Sequence, residues 1–427
     1  MAGVGPVVSR APALAGFFVA LLTVFALLRS RAGLTAAASG ALLLFFTAGF
    51  RYAAEARPYG VMMGLSGVAL YAWMEAAAGR RRRLHIPLLG AALAASLWNH
   101  YFGVLVFAPI VAGEAVRLFR HRRLDLPMAI AVAGAAVAAL PLYPLIEVAA
   151  RRRSTFWSRG GGLELVAEFY RFLLAPMLEP RFLAILIAVG AVTVGTVIVR
   201  RSKPTVMRRV PAHEVVALAV GVSIPLLGSF LGTWVTGAVV PRYVLSAIPA
   251  IGMALPLMLW RANTRGGPAS LIACASLAVL VAGESVRSDR PRFRHPLAER
   301  SLLLESLHSP SPTVVSSSLQ YVQFWYYAPS ELKGRMIYLT DPAESLRQSG
   351  SDTIDRGYVA VSKWTAIAVE PYASFVARHQ SFRVYEAGSG WLLATLESSG
   401  AAIEEIGREP GGRLYQVTLV ARRTPND

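Results

Sequence analysis

Three short polar stretches each place a charged or titratable side chain beside an aromatic ring, at the edge of a long apolar run. They are EARPY (55–59), NHYF (99–102) and PRY (241–243). Charged groups next to hydrocarbon are costly, so they usually have a function there. Guanidinium groups bind phosphate through paired hydrogen bonds, and a carboxylate such as Glu55 can accept a proton. The stretches therefore predict a site for an anionic ligand at one edge of a membrane.

Each stretch also has a purely structural explanation. Tyr and Arg side chains commonly anchor helices at the boundary between membrane and water. A single histidine at a helix end, such as His100, is more often structural than catalytic, and Arg242 can extend to lipid headgroups. The occurrence of all three stretches on one predicted face favours a shared ligand site over three separate anchors.

The composition identifies the setting of these stretches as a membrane. The chain has 427 residues, of which 55% are hydrophobic and 16% are charged, whereas soluble proteins have about 25% charged residues. Many apolar runs approach the length of roughly 18 residues that spans a bilayer. We predict ten transmembrane helices, near residues 12–28, 33–50, 58–77, 86–98, 102–117, 127–147, 182–199, 213–237, 243–260 and 267–284. The single cysteine, Cys274, excludes a disulfide within the chain.

The distribution of charge predicts the orientation of these helices. Residues 1–284 contain 27 Lys and Arg against 10 Asp and Glu, while residues 285–427 contain 16 against 15. Such an excess in the membrane part argues against nucleic-acid binding and for cytoplasmic loops rich in arginine. The basic connections lie at 29–31, 80–83, 117–123, 200–209 and 261–265. The opposite connections, including all three polar stretches, are then on the outer face.

The predicted outer loop at 148–181 does not fit this rule, because it contains six arginines. Its position either argues against the predicted topology or marks a further site for anions.

The composition changes at about residue 285, where a polar linker begins. Apolar strand-like segments such as PTVVSSS (312–318) and RMIYLTD (335–341) then alternate with helix-like segments, VEPYASFVARH (369–379) among them. This alternation predicts a small α/β domain of about 130 residues. The predicted organisation is a mainly helical membrane domain at 1–284 and an exoplasmic α/β domain at 285–427. Within the latter, QFWYYAPSEL (323–332) reads as core and SDTIDRG (351–357) as a turn with a helix cap.

The ordered set of motifs resembles the glycosyltransferase family 39 group. EARPYG follows an apolar helix, NHYFG opens a later one, and PRYVLSAIPA lies near the end of the membrane region. This set is similar to that of relatives of the dolichyl-phosphate-mannose protein mannosyltransferases and of the bacterial aminoarabinose transferase. The resemblance implies a C-type membrane fold in the plasma (inner) membrane. It also implies transfer of a sugar from a polyprenyl phosphate to an acceptor on the outer face. No cofactor is required by that chemistry, although a divalent metal is compatible with it.

Residue by residue, the resemblance assigns roles to the three stretches. It implies that Arg57 and Arg242 face the donor phosphate. The side chains implied to line the same cavity are Glu55, Tyr59, His100, Tyr101 and Tyr243. No cluster of His, Asp and Glu has the spacing of a metal site.

The family's catalytic aspartate lies in a first outer loop, and this chain is expected to begin beyond that loop. Glu55 is the first acidic residue of the sequence and is therefore the provisional catalytic base. A chain without the usual aspartate is also compatible with a non-catalytic relative that binds lipid-linked sugar. A lipid or glycan transporter is a third alternative, which the scarcity of acidic residues inside the predicted helices disfavours.

Overall fold

The computed structural model describes residues 6–151, 153–156, 163–179, 210–237, 240–261 and 300–420 except 389, together with 276, 279, 280, 283 and 297. The predicted helix at 182–199 and most of that at 267–284 lie outside the described residues. The chain divides into two compact units, Met1–Arg151 with Ser158–Ser288, and Arg152–Trp157 with Asp289–Asp427.

The first unit consists of helices. They are α1 (Pro6–Ala32), α2 (Leu34–Leu43), α3 (Ala48–Ala53), α4 (Tyr59–Ala77), α5 (Arg82–Asn99), α6 (Phe107–His121), α7 (Leu126–Val137), α8 (Tyr143–Arg151), α9 (Leu163–Leu178), α10 (Ala212–Val222), α11 (Ile224–Leu231) and α12 (Ile248–Arg261). Short 3-10 segments, Tyr101–Val106 and Pro241–Ala247, lead directly into α6 and α12.

Within the described residues, four helical segments are long and apolar enough to cross a membrane. They are Val7–Ala32, Tyr101–His121, Leu126–Val148 and Pro241–Met258. The pair Ala212–Val222 and Ile224–Thr236 adds a fifth if it forms one span bent by 51°. The bend has a local cause, because Pro225 cannot donate a helical hydrogen bond and the Ser223 hydroxyl donates to the Ala219 carbonyl.

Glycines bring α1 and α4 unusually close. A Cβ atom on Gly60 would lie 2.2 Å from the Ala13 carbonyl oxygen, and one on Gly16 would lie 2.3 Å from the Gly60 carbonyl oxygen. Small residues allow the two helix backbones to approach this closely. In lipid, where the hydrophobic effect does not drive helices together, such close packing stabilises their association. The start of α4, where EARPY ends, is thereby fixed against α1.

The prediction that residues 148–181 form an outer loop is wrong, because this segment contains the 16-residue helix α9. Phe169 and Leu173 are buried on one side of α9, and the Tyr170 hydroxyl donates to the Val222 carbonyl of α10. Glu164, Glu168 and Arg171 lower the hydropathy of this segment. A search for apolar spans therefore missed an amphipathic helix.

The second unit is a six-stranded sheet with helices on both faces, as the α/β prediction required. Its strands are β1 (Thr313–Val315), β2 (Met336–Thr340), β3 (Val369–Pro371), β4 (Ser381–Glu386), β5 (Ala402–Glu409) and β6 (Gly412–Thr418). Its helices are α13 (Ser301–His308), α14 (Ser318–Tyr327), α15 (Ser330–Lys333), α16 (Pro342–Ser349), α17 (Thr353–Val361), α18 (Tyr372–Arg378) and α19 (Trp391–Ser398). The strand order is β3-β2-β1-β4-β6-β5, with the first four parallel and β6 antiparallel to both β4 and β5.

Two strands of this sheet differ from the prediction. Val369–Pro371 forms the edge strand β3 before α18 begins, although the whole segment reads as helix. Ala402–Glu409 forms β5, which the sequence analysis missed. Most side chains of β5 remain exposed at the other edge of the sheet, so the segment carries little of the apolar alternation that identifies strands.

The two motifs of this unit have structural roles. Phe324, from the aromatic run, is buried in the core, while Lys333 Nζ lies 4.9 Å from the centre of the Trp325 ring. In SDTIDRG, the N-cap residue of α17 is Asp352, whose side chain makes no capping hydrogen bond, while Ser351 Oγ accepts from the Thr353 amide at the start of the helix. Asp352, immediately before α17, pairs with Arg356 instead.

Candidate functional site at one end of the helical unit

The three polar stretches come together at one end of the helical unit. EARPY connects α3 to α4, NHYF connects α5 to the 3-10 segment before α6, and PRY begins the segment before α12. Arg242 Nε donates to the Tyr59 hydroxyl at 2.9 Å. Residues 183 positions apart in the chain thus share one hydrogen bond.

Aromatic rings form the centre of this meeting point. The His100 ring stacks on Tyr101 at 4.5 Å between ring centroids and lies 4.9 Å from Tyr243. Tyr59 lies 5.8 Å from His100 and 6.4 Å from Tyr243. We call the set Tyr59, His100, Tyr101, Arg242 and Tyr243 the aromatic-arginine cluster.

Backbone geometry fixes two members of the cluster. His100 has extended backbone angles where α5 ends, and its Nδ1 accepts a hydrogen bond from the Phe102 amide at 3.1 Å. With Nδ1 as an acceptor, the neutral ring carries its proton on Nε2. Asn99 Nδ2 donates to the Pro58 carbonyl at 3.0 Å, which joins the end of α5 to the start of α4. Tyr59 and His100 are therefore held by bonds that their immediate neighbours make.

Glu55 and Arg57 lie beside the cluster and pair with each other. Arg57 Nε is 3.5 Å from Glu55 Oε2, and Arg51 Nε is 3.9 Å from Glu55 Oε1. Half of the Arg57 side chain is exposed, whereas 29% of Glu55 is. Both residues are thus accessible to a ligand, and the carboxylate is partly neutralised by its neighbours.

Tyr52 links these charges to the cluster, although it was not among the residues predicted from the sequence. The buried Tyr52 ring lies 5.5 Å from Tyr59, and the residue interacts electrostatically with Glu55, Arg57 and Arg242. Its position three residues before EARPY was a usable signal.

Phe172 of α9 also escaped notice, although its ring lies 5.7 Å from Tyr52. No signal in the sequence pointed to it, because the predicted loop left this segment without a place in the bundle.

The donor set of the site does not resemble a metal centre. In the part of the chain that the structure describes, no three His, Cys, Asp or Glu side chains are grouped as metal ligands would be. Arginines, phenols and an imidazole instead provide hydrogen-bond donors and flat apolar faces. Such groups suit a phosphate next to a sugar ring.

Fold comparison defines the class to which this architecture corresponds. The chain has the C-type glycosyltransferase membrane fold, in which a helical membrane part is followed by a small domain. Two solved structures share it with TM-scores near 0.6. Because each is 12% identical to this chain in sequence, the likeness shows a shared fold alone.

Both neighbours are ArnT from Cupriavidus metallidurans. The apo structure matches with a TM-score of 0.60 and covers 95% of this chain and 83% of ArnT. The structure bound to undecaprenyl phosphate matches with a TM-score of 0.58 and covers 97% of this chain and 84% of ArnT. No known protein-family profile matches the chain, and no curated protein sequence matches it either.

Proposed function

We propose that the protein is a membrane glycosyltransferase that moves a hexosyl or pentosyl group from a polyprenyl phosphate to a lipid, glycan or protein acceptor. The observation that carries the proposal is the meeting of Arg242 with Tyr59, His100 and Tyr243 from three distant segments. The ArnT structure bound to undecaprenyl phosphate supports it, because that ligand also combines a long apolar chain with an anionic head.

The proposed reaction assigns a role to each charged side chain. An acceptor hydroxyl attacks the anomeric carbon while the bond from that carbon to the phosphate oxygen breaks. The phosphate leaves with the electron pair, and its growing charge is stabilised by Arg57 and Arg242. Fixed cations are most effective here because they need no rearrangement in the transition state. Tyr59 contributes by holding the plane of the Arg242 guanidinium.

Glu55 is the proposed base that accepts the proton of the acceptor hydroxyl. Its carboxylate lies next to the proposed phosphate-binding arginines, within ion-pair distance of Arg51 and Arg57. Tyr101 and Tyr243 are proposed to line the sugar-binding surface with His100.

The same ion pairs favour a second candidate function, which is binding of lipid-linked sugar without transfer. One oxygen of the Glu55 carboxylate faces Arg51 and the other faces Arg57, so less of the carboxylate is free to meet an acceptor hydroxyl. A chain of this second kind binds the donor but releases no polyprenyl phosphate.

Donor turnover distinguishes the two candidates. Membranes containing the full chain are incubated with a radiolabelled polyprenyl-phosphate sugar, and the release of polyprenyl phosphate is followed. Glu55→Gln should lower the release about 10²–10⁴-fold, the usual contribution of a general base. Glu147→Gln is the matched control, because Glu147 is exposed and also pairs with an arginine, Arg151. Donor binding without turnover by the wild-type chain would select the second candidate.

We further propose a multi-pass protein of the plasma (inner) membrane with its α/β unit on the periplasmic or extracellular side. The support is the arginine content of the alternate connections, which the positive-inside rule assigns to the cytoplasm. Cysteines introduced by Lys363→Cys and Arg83→Cys test it in intact cells. Membrane-impermeant reagents should label position 363 and spare position 83, and the reverse pattern would invert the orientation.

A further inference from the structure

A cavity of about 610 Å³ lies between α6 and α7. Its walls are mostly apolar and include Val111, Leu118, Met128 and Ala133. Its charged lining comes from the loop between the two helices and the last turns of α6, and consists of Glu114, Arg117, His121, Arg123 and Asp125. The volume falls within the range of roughly 300–1,000 Å³ that is typical of ligand pockets.

This cavity is separate from the aromatic-arginine cluster. Tyr101 and His121 are the two ends of one apolar helical segment of 21 residues. At about 1.5 Å per residue, such a segment places its ends roughly 30 Å apart. The charged lining therefore lies at the opposite end of the helical unit from the proposed catalytic site.

Internal ion pairs already neutralise both carboxylates of the lining. Glu114 accepts from Arg117 Nη1 at 2.6 Å and from Trp73 Nε1 at 2.5 Å. Asp125 accepts from Arg82 Nη2 at 2.6 Å and from Arg117 Nη2 at 3.1 Å. These pairs fix the end of α6 to α4, α5 and α7.

The remaining charge at this end of the cavity is positive. Arg82, Arg117 and Arg123 are three cations against the carboxylates of Glu114 and Asp125, and His121 adds a donor. Arg120 and Arg122 stand in the same RLFRHRR run (117–123) and are exposed. Val111 and Leu118 are exposed as well, so apolar side chains at the mouth are available to a lipid chain.

We infer that this cavity binds an anionic phospholipid of the surrounding leaflet, with its phosphate at Arg123 and His121 and an acyl chain along α6 and α7. An amphiphile with a negative head matches a pocket that is apolar along its length and positive at one end. Basic pockets between membrane helices are established binding sites for anionic headgroups. The proposal is independent of the proposed transferase function.

Native mass spectrometry of the purified full chain tests this inference. Phosphatidylglycerol and phosphatidylcholine are added in turn as probes in the same detergent. We expect phosphatidylglycerol to bind more tightly. Arg123→Ala should weaken its binding about five-fold, the effect of roughly 1 kcal/mol per basic residue near an anionic lipid. Arg29→Ala, which removes an exposed arginine of α1, should leave binding unchanged.

A second variant tests the acyl-chain part of the cavity. Ala133→Trp fills the space between α6 and α7 without altering any charge, so it should reduce phosphatidylglycerol binding while the protein still purifies at the wild-type level. Equal binding of the two lipids, or an unchanged affinity in both variants, would overturn the inference. Full competition by glycerol phosphate would also overturn it, because the site would then recognise a free phosphate and not a lipid.

Discussion

The two ends of the helical unit use arginine in different ways. At one end, Arg31 is 9% exposed and binds two buried carboxylates, Glu75 at 2.9 Å and Glu214 at 2.8 Å. At the other end, Arg242 donates to a phenol and Arg57 is half exposed. We interpret the arginine enclosed by carboxylates from several helices as structural, and we propose that the arginines at the other end bind an external anion.

The length of α4 shows that these are opposite ends. Tyr59 begins the helix and Glu75 lies 16 residues further on, which corresponds to about 24 Å. A single helix therefore carries a member of the aromatic-arginine cluster at its start and a member of the buried ion-pair network near its end. Variants at the two ends should separate loss of function from loss of folding.

The largest expected effect concerns folding. Glu214→Ala leaves Glu75 as the one carboxylate shared by Arg31 and Arg80. The network then holds an excess positive charge, so the variant should destabilise the protein by up to about 3–5 kcal/mol. The measurement is the midpoint of thermal unfolding in detergent, together with the amount of protein in the membrane. Glu147→Ala, which breaks the exposed pair with Arg151, is the control and should change stability by less than about 1 kcal/mol. Equal stability of the two variants would refute the structural role.

The second effect concerns turnover. Arg242→Ala should lower sugar transfer about 10²–10³-fold, because a fixed donor to the leaving phosphate is lost. Arg242→Lys should restore only part of the rate, since an ammonium group lacks the planar fork of the guanidinium. Arg29→Ala at the opposite end is the control. A normal rate for Arg242→Ala at an unchanged protein level would make Arg242 a simple anchor.

The contrast between the two ends also explains what the sequence could reveal. EARPY, NHYF and PRY were recognisable because each combines charge and aromatic rings at the edge of an apolar run. The structure brings Arg242 of the third stretch into contact with Tyr59 of the first, while a shared cavity and the roles in binding and catalysis stay predictions.

The buried ion pairs could not be assigned from the sequence. Arg31 lies in the last turn of α1, in a segment that reads from the sequence as one of several basic connections, and its partner Glu214 lies 183 positions away. Only packing of α1, α4 and α10 identifies which arginines are enclosed. Helix α9 was missed because its charged residues lower the hydropathy of the segment. Its place beside Tyr52 depends in addition on contacts that a local pattern does not contain.

The third expected effect is smaller and concerns the orientation of Arg242 by the Tyr59 hydroxyl. Tyr59→Phe keeps the ring contacts of the cluster but removes the hydroxyl that accepts from Arg242 Nε. A hydrogen bond to a charged group contributes about 1.5–3 kcal/mol, so transfer should fall roughly ten-fold or more. The effect should appear mainly in kcat, because the orientation of Arg242 matters most when charge develops on the phosphate. A variant with wild-type kcat would show that the hydroxyl does not orient Arg242.

The smallest expected effect concerns how the stability of the second unit depends on pH, through a buried carboxylate. Asp355 accepts from the Tyr338 hydroxyl and the Asp341 amide, both at 2.9 Å. Burial raises its pKa above the ordinary value, although these hydrogen bonds oppose the shift. A raised pKa in the folded state means that its contribution to stability is fully present below about pH 3.9 and is lost as pH rises through the folded value.

Asp355→Asn should therefore reduce the loss of stability of this unit between about pH 4 and pH 7, relative to the wild type. The measurement is proteolysis of the full chain in urea at each pH. This test isolates the effect of burial. Asp355 accepts from a phenol and a backbone amide, whereas Glu214 pairs with Arg31. An identical pH dependence in the variant would exclude Asp355 as the titrating group.

Binding of the polyprenyl phosphate itself tests the central claim most directly. Undecaprenyl phosphate is titrated into the purified full chain, and its dissociation constant is measured for the wild type, Arg242→Ala and Arg29→Ala. We expect Arg242→Ala to weaken binding at least ten-fold, in keeping with loss of a charged hydrogen bond, and Arg29→Ala to bind as the wild type does. Equal affinity of all three proteins would contradict the assignment of the aromatic-arginine cluster as the phosphate site.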